Sequence, residues 1–275
     1  MAPQNLKSIR LSDNDLDFLV ETVSPEITDK YRLKRIIRED EDFRSTFISD
    51  EKIFNRVMDD EEILLKISPT LLFEIFLRKA VNDLKKSSYT LEKTRTMRIP
   101  VFDTEDVIAL LTQESLLVYL ADMLSSFTKI KSYTISFRER KGIWRKIRFN
   151  DMDIYSLMSF CEVVKDEYRL FLYKRIADIC LFILGLFPEY VERDYRYPTS
   201  GEVRPKISGK VRISSEAYEK EGRKFYKLAA EHQIAKEQNL SEVFRALHES
   251  FQKVKKPLNF ISEHYLHHQR HKLFG

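Results

Sequence analysis

The sequence predicts a mainly α-helical protein: a multi-helix bundle with one β-hairpin insertion and a C-terminal helical unit. Only 6 glycines and 8 prolines occur in 275 residues, so turns are few and elements are long, which disfavours a β-sandwich or barrel. Apolar residues recur along most of the chain at the spacing of one helix face. That spacing changes to two only between residues 132 and 149, which predicts a single hairpin.

Composition indicates a chain that can bury a core without disulfides or metals. Hydrophobic residues make up 43% and charged residues 33%, and the net charge is +4. The charge is unevenly distributed. Residues 1–66 hold 11 basic and 16 acidic side chains, whereas residues 129–149 hold 8 basic side chains and one acid. The pattern is typical of a mildly acidic body with one concentrated basic insertion.

The N-terminal third predicts short helices that start at polar caps. Ser12 precedes a first apolar stripe, and Ser24-Pro25-Glu26 has the serine cap and first-turn proline of a second helix. Further short helices are expected over 49–58 and 59–66.

Longer helices follow, separated by one proline. The run 68–86 begins with Ser-Pro-Thr and carries a wide apolar stripe, so it predicts a central helix. Pro100 interrupts the pattern, and Asp103 or Thr104 is expected to cap the next helix. Residues 113–127 predict another helix with a wide apolar face.

The hairpin is predicted by alternation on both of its strands. Apolar Tyr133, Ile135 and Phe137 alternate with polar residues, Ile147 and Phe149 share one parity on the return, and a glycine lies near the reversal. An isolated hairpin is only marginally stable, so its apolar face is expected to lie on the helical body.

The second half predicts a helix capped by Asn150 or Asp151 and a long helix that starts at Asp166. The stretch 176–187 is apolar apart from one aspartate and one glycine. A membrane span needs about 20 apolar residues, so this stretch predicts a buried helix of a soluble protein.

Domain organisation is predicted from a loop-like segment. Residues 191–213 contain two prolines, two glycines and six basic residues, and a structureless loop of this length is uncommon inside a domain. We therefore expect an N-terminal helical domain over 1–190, a linker over 191–213 and a helical unit over 214–275, with a last helix that begins near Pro257.

Within that unit, Gly222, Tyr226 and Ala229 are spaced at helical turns. This pattern resembles the first helix of a tetratricopeptide repeat, in which small and aromatic residues let two helices pack closely. The likeness covers about one helix pair, lacks the Trp-x-x-Leu start and is not repeated at 34 residues. It implies close packing and a groove for a partner, without assigning a family.

The first candidate site is the basic hairpin. Cations beside aromatic rings can neutralise phosphates and stack on bases, whereas charges on an exposed strand edge also serve simply to prevent aggregation. Trp144 shares the parity of Lys146 and Arg148, which predicts an exposed position for its ring. The residues expected to contact nucleic acid or a partner are Arg138, Arg140, Lys141, Trp144, Arg145, Lys146 and Arg148.

The second candidate is a histidine cluster near the C-terminus. On a helix, His264, His268 and His271 would share one face, and histidines so spaced can chelate a transition metal. No HExxH is present, and histidine also complements the negative end of a helix dipole. We therefore expect no metal site. If the protein does bind a metal, these three histidines are the candidate ligands.

The third candidate is a polar network inside apolar helices. Arg175 and Asp178 lie three residues apart and can pair, and Asp122 is a candidate partner for Arg175. Buried charges must be paired or used. These residues therefore form either a network that fixes helix register or one side of a functional cleft.

Motif absences bear on chemistry. The sequence contains no GxGxxG, P-loop, GxSxG, kinase or calcium-loop signature, so we expect no cofactor and assign no catalytic residue. Cys161 and Cys180 predict reduced thiols in a cytoplasmic protein, although their spacing leaves a disulfide open. The N-terminus has no apolar segment, so no signal peptide is expected.

The function predicted from these observations is that of a non-catalytic helical adaptor or regulatory protein that binds another macromolecule in the cytoplasm. A protein partner is expected, without membrane association, and the oligomeric state is left open. The first alternative is a nucleic-acid-binding regulator that uses the basic hairpin. The second is a helical enzyme with a cleft of aspartate and arginine side chains.

Overall fold

The computed structural model describes residues 11–93, 98–129, 132–140, 143–192, 214–266 and 270–274. These residues form sixteen helices and two antiparallel strand pairs, so the mainly α fold class is confirmed. The chain is divided into two compact units, Met1–Ser125 with Gln252–His268, and Ser126–Phe251 with Gln269–Gly275. Most of the predicted linker, 193–213, lies outside the described residues, and the predicted domain boundaries stay a prediction.

The first unit consists mainly of short helices around one long central helix, α6, as predicted. Its core contains the fully buried rings of Phe73 and Phe76. The elements are α1 (Asp13–Val23), α2 (Lys30–Glu39), α3 (Glu41–Ile48), α4 (Glu51–Asp59), α5 (Ile63–Lys66), α6 (Pro69–Leu84), β1 (Thr90–Lys93), β2 (Arg98–Val101), α7 (Thr104–Leu111), α8 (Glu114–Ser126) and α15 (Phe251–His264).

Two predicted caps of this unit are confirmed, and they are joined. The Ser12 hydroxyl accepts a hydrogen bond from the Asp15 amide, and the Asp15 carboxylate accepts one from the Ser12 amide. The same carboxylate accepts a 2.7 Å bond from the amide of Ser68, which itself caps α6. The expected start at Ser24 is wrong: α2 begins after Asp29, whose carboxylate is the actual cap.

The second unit is built on α10, the long apolar helix, which begins at Asp166 as predicted. Its elements are β3 (Ser132–Arg140), β4 (Ile143–Asn150), α9 (Ile154–Val163), α10 (Asp166–Leu186), α11 (Pro188–Glu192), α12 (Ser215–Glu231), α13 (Gln233–Glu237), α14 (Ser241–Glu249) and α16 (Arg270–Phe274). The cap of α9 is Asp153, not Asn150 or Asp151. Asp151 is used elsewhere, as a partner of Arg175.

Helix α12 packs closely on α10, and Gly222 is the reason. A methyl group at Gly222 would lie 2.9 Å from the Cβ of Cys180 in α10 and 2.7 Å from the Phe251 ring. Both neighbours are buried. The close approach at Gly222 is thus to α10, whereas the Gly222–Tyr226–Ala229 pattern implied a pair of consecutive helices within the C-terminal unit, and that implication stays a prediction.

Both strand pairs are antiparallel hairpins. The predicted pair β3–β4 is present, and its register joins Ile135 to Ile147. A second pair, β1–β2, was not predicted; its register joins Thr90 to Val101 and Leu91 to Pro100. The expectation of a single hairpin was therefore wrong.

Pro257 and the C-terminal histidines also differ from expectation. Pro257 lies inside α15 rather than near the start of a helix. Helix α15 ends at His264, where the amides of both Tyr265 and Leu266 bond to the carbonyl of Ile261. A new helix, α16, begins only at residue 270, so the single helix expected through His271 is interrupted.

None of the described helices alone has both the length and the apolar composition needed to cross a membrane. Helices α7 and α8 meet that test only as a pair, and they are bent by 82° relative to each other.

Candidate functional site

A groove between the start of β1 and helix α15 forms a concave site in the described part of the first unit. Its cavity volume is about 400 Å³, within the range of binding pockets. Three apolar side chains and several polar ones face it. The lining residues are Leu84, Lys86, Ser87, Ser88, Tyr89, Thr90, Leu91, Lys256, Asn259, Phe260, Glu263 and His264.

Asp103 joins the two walls of this groove. Its carboxylate accepts hydrogen bonds from the Thr90 hydroxyl in β1 and from the Lys256 ammonium in α15. Burial alone would raise the pKa of Asp103, but these two bonds outweigh burial and lower the pKa below its ordinary value. The charged pair therefore holds the hairpin against the helix.

Tyr265, the residue directly after α15, holds the end of this helix against α6. Its hydroxyl donates a 2.7 Å hydrogen bond to Asp83 of α6. Its ring packs against Phe54 and Phe76 with centroid distances of 5.0 and 5.6 Å. Burial and the adjacent carboxylate raise the pKa of the Tyr265 phenol. The helical wall of the groove is therefore rigidly seated on the unit's core.

Large apolar side chains are exposed around the hairpin. Phe102 is 80% exposed, and Tyr89, Leu91 and Ile99 are exposed as well. The rings of Tyr89 and Phe102 meet edge to face at 6.3 Å. By register, Leu91 and Ile99 lie on opposite faces of the hairpin. Exposed apolar groups that lie together mark interaction sites more often than ordinary surface. We call Tyr89, Leu91 and Phe102 the apolar rim.

The basic hairpin is described through its backbone. By register, its Cα pairs Thr134–Arg148, Ser136–Lys146 and Arg138–Trp144 alternate with Tyr133–Phe149, Ile135–Ile147 and Phe137–Arg145. Because strand residues alternate between faces, the first three pairs occupy one face of the ribbon. Arg140 pairs with Ile143 beyond an irregularity in the register. Lys141 lies outside the described residues.

Of the candidate metal ligands, His264 is exposed at the end of α15. Its ring stacks on Phe260 at 4.1 Å, and its Nδ1 lies 2.9 Å from that residue's carbonyl oxygen. His268 lies outside the described residues, and His271 is described only by its backbone. In the described part of the chain, no group of three or more potential ligands is placed to hold a metal.

Arg175 and Asp178 are buried in α10, each with partners from other elements. The Arg175 guanidinium donates to the carbonyl and carboxylate of Asp151, at 3.0 and 2.9 Å, and lies 4.0 Å from the centroid of the Phe127 ring. Asp178 accepts hydrogen bonds from Lys174 and from the Tyr226 hydroxyl. Asp122, the third member of the predicted network, is exposed on α8.

A second buried ionic cluster was missed in the sequence. Arg78 donates two hydrogen bonds to Glu74, at 3.0 and 2.7 Å, and one of 2.6 Å to Glu114. Arg44 lies 3.5 Å from the same Glu114 carboxylate. Burial raises the pKa of Glu74, against the influence of both arginines. The available signal was the pair Glu74 and Arg78, four residues apart within the apolar stripe of α6.

The groove residues were also missed, although the sequence contains two signals for them. Tyr89, Thr90 and Leu91 alternate in the way typical of a short strand, and Pro100 suits an edge strand. Without knowledge of α15, the pairing of these short segments is not apparent.

Cys161 and Cys180 are free thiols. Burial raises the pKa of Cys161 to about 11, and it also raises the pKa of the fully buried Cys180. Both thiols are therefore protonated at neutral pH, the form that is a poor nucleophile.

Comparisons with protein-family models, curated proteins and solved structures found no match to this chain.

Proposed function

We propose that this protein is a non-catalytic helical adaptor of the cytoplasm that binds a protein partner through the groove between β1 and α15. The carrying observation is the apolar rim, Tyr89, Leu91 and Phe102, which is exposed to solvent, and two members of which, Tyr89 and Leu91, line a cavity of about 400 Å³. Exposed apolar side chains next to a preformed groove are typical of peptide and protein docking sites.

The charges around this groove favour binding over bond-making chemistry. Lys256 and Asp103 are paired with each other, and Thr90 donates to the same carboxylate. These groups stiffen the site, because their hydrogen-bonding capacity is directed within the protein. Arg175 and Asp178 are likewise buried and hydrogen-bonded, so we do not propose an enzymatic cleft there.

The test is selection of ligands from a random peptide display library on the full-length protein, followed by affinity measurement by fluorescence anisotropy. Two groove variants, Leu91→Lys and Tyr89→Ala, are compared with two matched controls, Leu65→Lys and Tyr31→Ala. Leu65 is 82% exposed on α5, and Tyr31 is exposed on α2.

We expect the groove variants to weaken peptide binding about tenfold or more, the cost of losing an interface anchor. The controls should change affinity by less than about twofold. All four side chains are exposed, so unfolding midpoints should stay close to that of the wild type. Selected peptides that bind groove and control variants equally well would refute the proposal.

A second candidate function is nucleic-acid binding by the basic hairpin, and the strand register supports it. Positions 138, 144, 146 and 148 belong to one face of the ribbon, which combines three cationic residues with a tryptophan. Such a face can contact phosphates and stack on bases.

This candidate is tested with the triple variant Arg138→Gln, Lys146→Gln, Arg148→Gln and single-stranded RNA or DNA. The affinity of this variant for the nucleic acid should depend less on salt than that of the wild type. Each lost phosphate contact reduces the slope of log K against log[salt] by about 0.7–0.9.

The matched control removes three exposed charges of α2, by Lys30→Gln, Arg32→Gln and Arg35→Gln. An equal loss of affinity in both triple variants would point to net charge alone and reject the hairpin as a specific site.

A further inference from the structure

We propose that the groove binds its partner as an added β-strand: an extended peptide pairs with the outer edge of β1, and one of its apolar side chains enters the cavity against Phe260. This inference rests on the proposed function and specifies how the partner is recognised. It is carried by the register of β1–β2, the lining of the groove and the position of α15.

The first argument is the orientation of backbone groups in β1. Leu91 is opposite Pro100 in the antiparallel register. Pro100 has no N–H to donate, so this pair fits the position at which the two residues exchange no hydrogen bonds. At such a position the N–H and C=O of Leu91 point away from β2. The edge of β1 therefore presents a donor and an acceptor spaced for another strand.

The two edges of the hairpin are unequal. On β2, Pro100 directs its ring nitrogen outward, which removes a donor from that edge and blocks strand addition there. On β1, the outward groups belong to Leu91 and, by the same alternation, to Lys93. The hairpin is therefore predisposed to extend on one side only.

The second argument is that the groove reaches this open edge at the start of β1. Its lining runs through residues 86–89, which precede the strand, to Thr90 and Leu91 within it. These two neighbours belong to opposite faces of the strand, so the groove lies beside the backbone there. Its opposite wall is α15, and Ile99, Pro100 and Val101, the β2 residues whose side chains the structure describes, are not among its lining. A strand laid along β1 would lie between the edge and the helix.

The third argument identifies the side chain that the site accepts. Thr90 directs its hydroxyl to Asp103, which Lys256 of α15 binds, so this face of β1 is turned toward the helix. In an added strand every second side chain would turn the same way. Leu84 and Phe260 line the cavity there, which fits a leucine, methionine or aromatic residue.

The experiment is an N-methyl scan of a peptide selected on the groove. Each backbone amide of the peptide is methylated in turn, which removes one donor and leaves the side chain intact. Strand addition predicts that affinity falls about tenfold or more at alternate positions and changes by less than about threefold at the positions between them.

Hydrogen–deuterium exchange provides a readout on the protein itself. Saturation with the unmethylated peptide should slow exchange of the amides at residues 91 and 93, whose outward N–H groups gain partners. The amides of Ile99 and Val101 serve as the internal control, because strand pairing within the hairpin is already present without the peptide.

The outcomes separate the two proposals. One contrary result is a selected peptide that depends on Tyr89 and Leu91 and yet loses no affinity on N-methylation. Another is a peptide that loses affinity at positions three and four residues apart, as a helical peptide would. Either result would overturn strand addition and leave the proposed function standing. A library that yields no peptide dependent on these two residues would overturn both.

Discussion

Lys256 of α15 is paired with Asp103, the residue before α7, and both charges are withdrawn from water. Only 4% of the lysine side chain and 17% of the aspartate side chain are exposed. Thr90 donates to the same carboxylate, so a single acidic group joins β1 to α15. The groove owes its shape to this contact.

Replacement of Lys256 by methionine should destabilise the protein by about 1–3 kcal/mol, because it leaves the partly buried Asp103 carboxylate with the Thr90 hydroxyl but without its charged partner. Urea denaturation measures the change. The control is Lys253→Met in the same helix. Lys253 pairs with Asp106 at 2.6 Å on the exposed surface, and such pairs contribute about 0–1 kcal/mol. Equal effects of the two substitutions would contradict a structural role for the buried pair.

The same carboxylate predicts a pH dependence. The pKa of Asp103 in the folded protein lies below its ordinary value, which is about 3.9 in an unfolded chain. Its ionised form is therefore favoured by folding. The stabilisation is complete above the unfolded-state pKa and is lost as the pH falls through the folded-state pKa.

The variant Asp103→Asn should therefore be less stable than the wild type at pH 7, by about 3 kcal/mol. This difference should shrink below about pH 4 as the wild-type carboxylate becomes protonated. Urea midpoints measured between pH 3 and 7 give the comparison, with Asp106→Asn as the exposed control. A difference that stays constant across this range would exclude a charge effect at Asp103.

Substitution of Arg175 by lysine should destabilise the second unit by about 2–3 kcal/mol, since one ammonium cannot replace the planar fork. Arg175 donates to Asp151 twice and to Ser126 at 2.8 Å, and it stacks on Phe127. In the control Arg169→Lys, one third of the side chain is exposed, and the loss should stay below about 1 kcal/mol. Thermal unfolding compares the two, and an equally mild effect at Arg175 would argue against the fork geometry.

Replacement of Gly222 by alanine should be destabilising, by up to about 2 kcal/mol. Overpacking costs about 1–3 kcal/mol, which exceeds the gain in helix propensity of about 1 kcal/mol. The added methyl group would meet Phe251 and Cys180 at less than 3 Å. The control, Lys227→Ala, lies on an exposed turn of the same helix and should change stability by less than about 0.5 kcal/mol. Chemical denaturation measures the change. A Gly222→Ala variant more stable than the wild type would contradict close packing of α12 against α10 at this position.

Local features of this protein could be predicted because their physics acts within a few residues. Ser12 and Ser68 cap helices through bonds to residues three positions away. Alternation from Tyr133 to Phe149 predicts the hairpin because strand faces repeat every two residues. Apolar spacing predicts helices for the same reason, with a period of 3.6.

Local rules of this kind could not predict the partners of buried charges. Arg175 was expected to pair with Asp178 or Asp122, and the structure brings it to Asp151, 24 residues away. Asp151 itself was expected to be a helix cap, which is a local role. An aspartate before a helix can satisfy either demand, and only the packing of α10 decides which one prevails.

The fold class, the caps at Ser12 and Ser68 and the basic insertion thus follow from the order of the amino acids, because hydrogen bonds over three residues and periodic apolar faces require nothing else. The groove is different. It depends on a contact between Asp103 and Lys256, which are 153 residues apart, and on the seating of α15 through Tyr265 and Asp83. Contacts over such separations form only when the whole unit packs. Each one costs the conformational entropy of closing a long loop, and only the burial of the complete core offsets that cost.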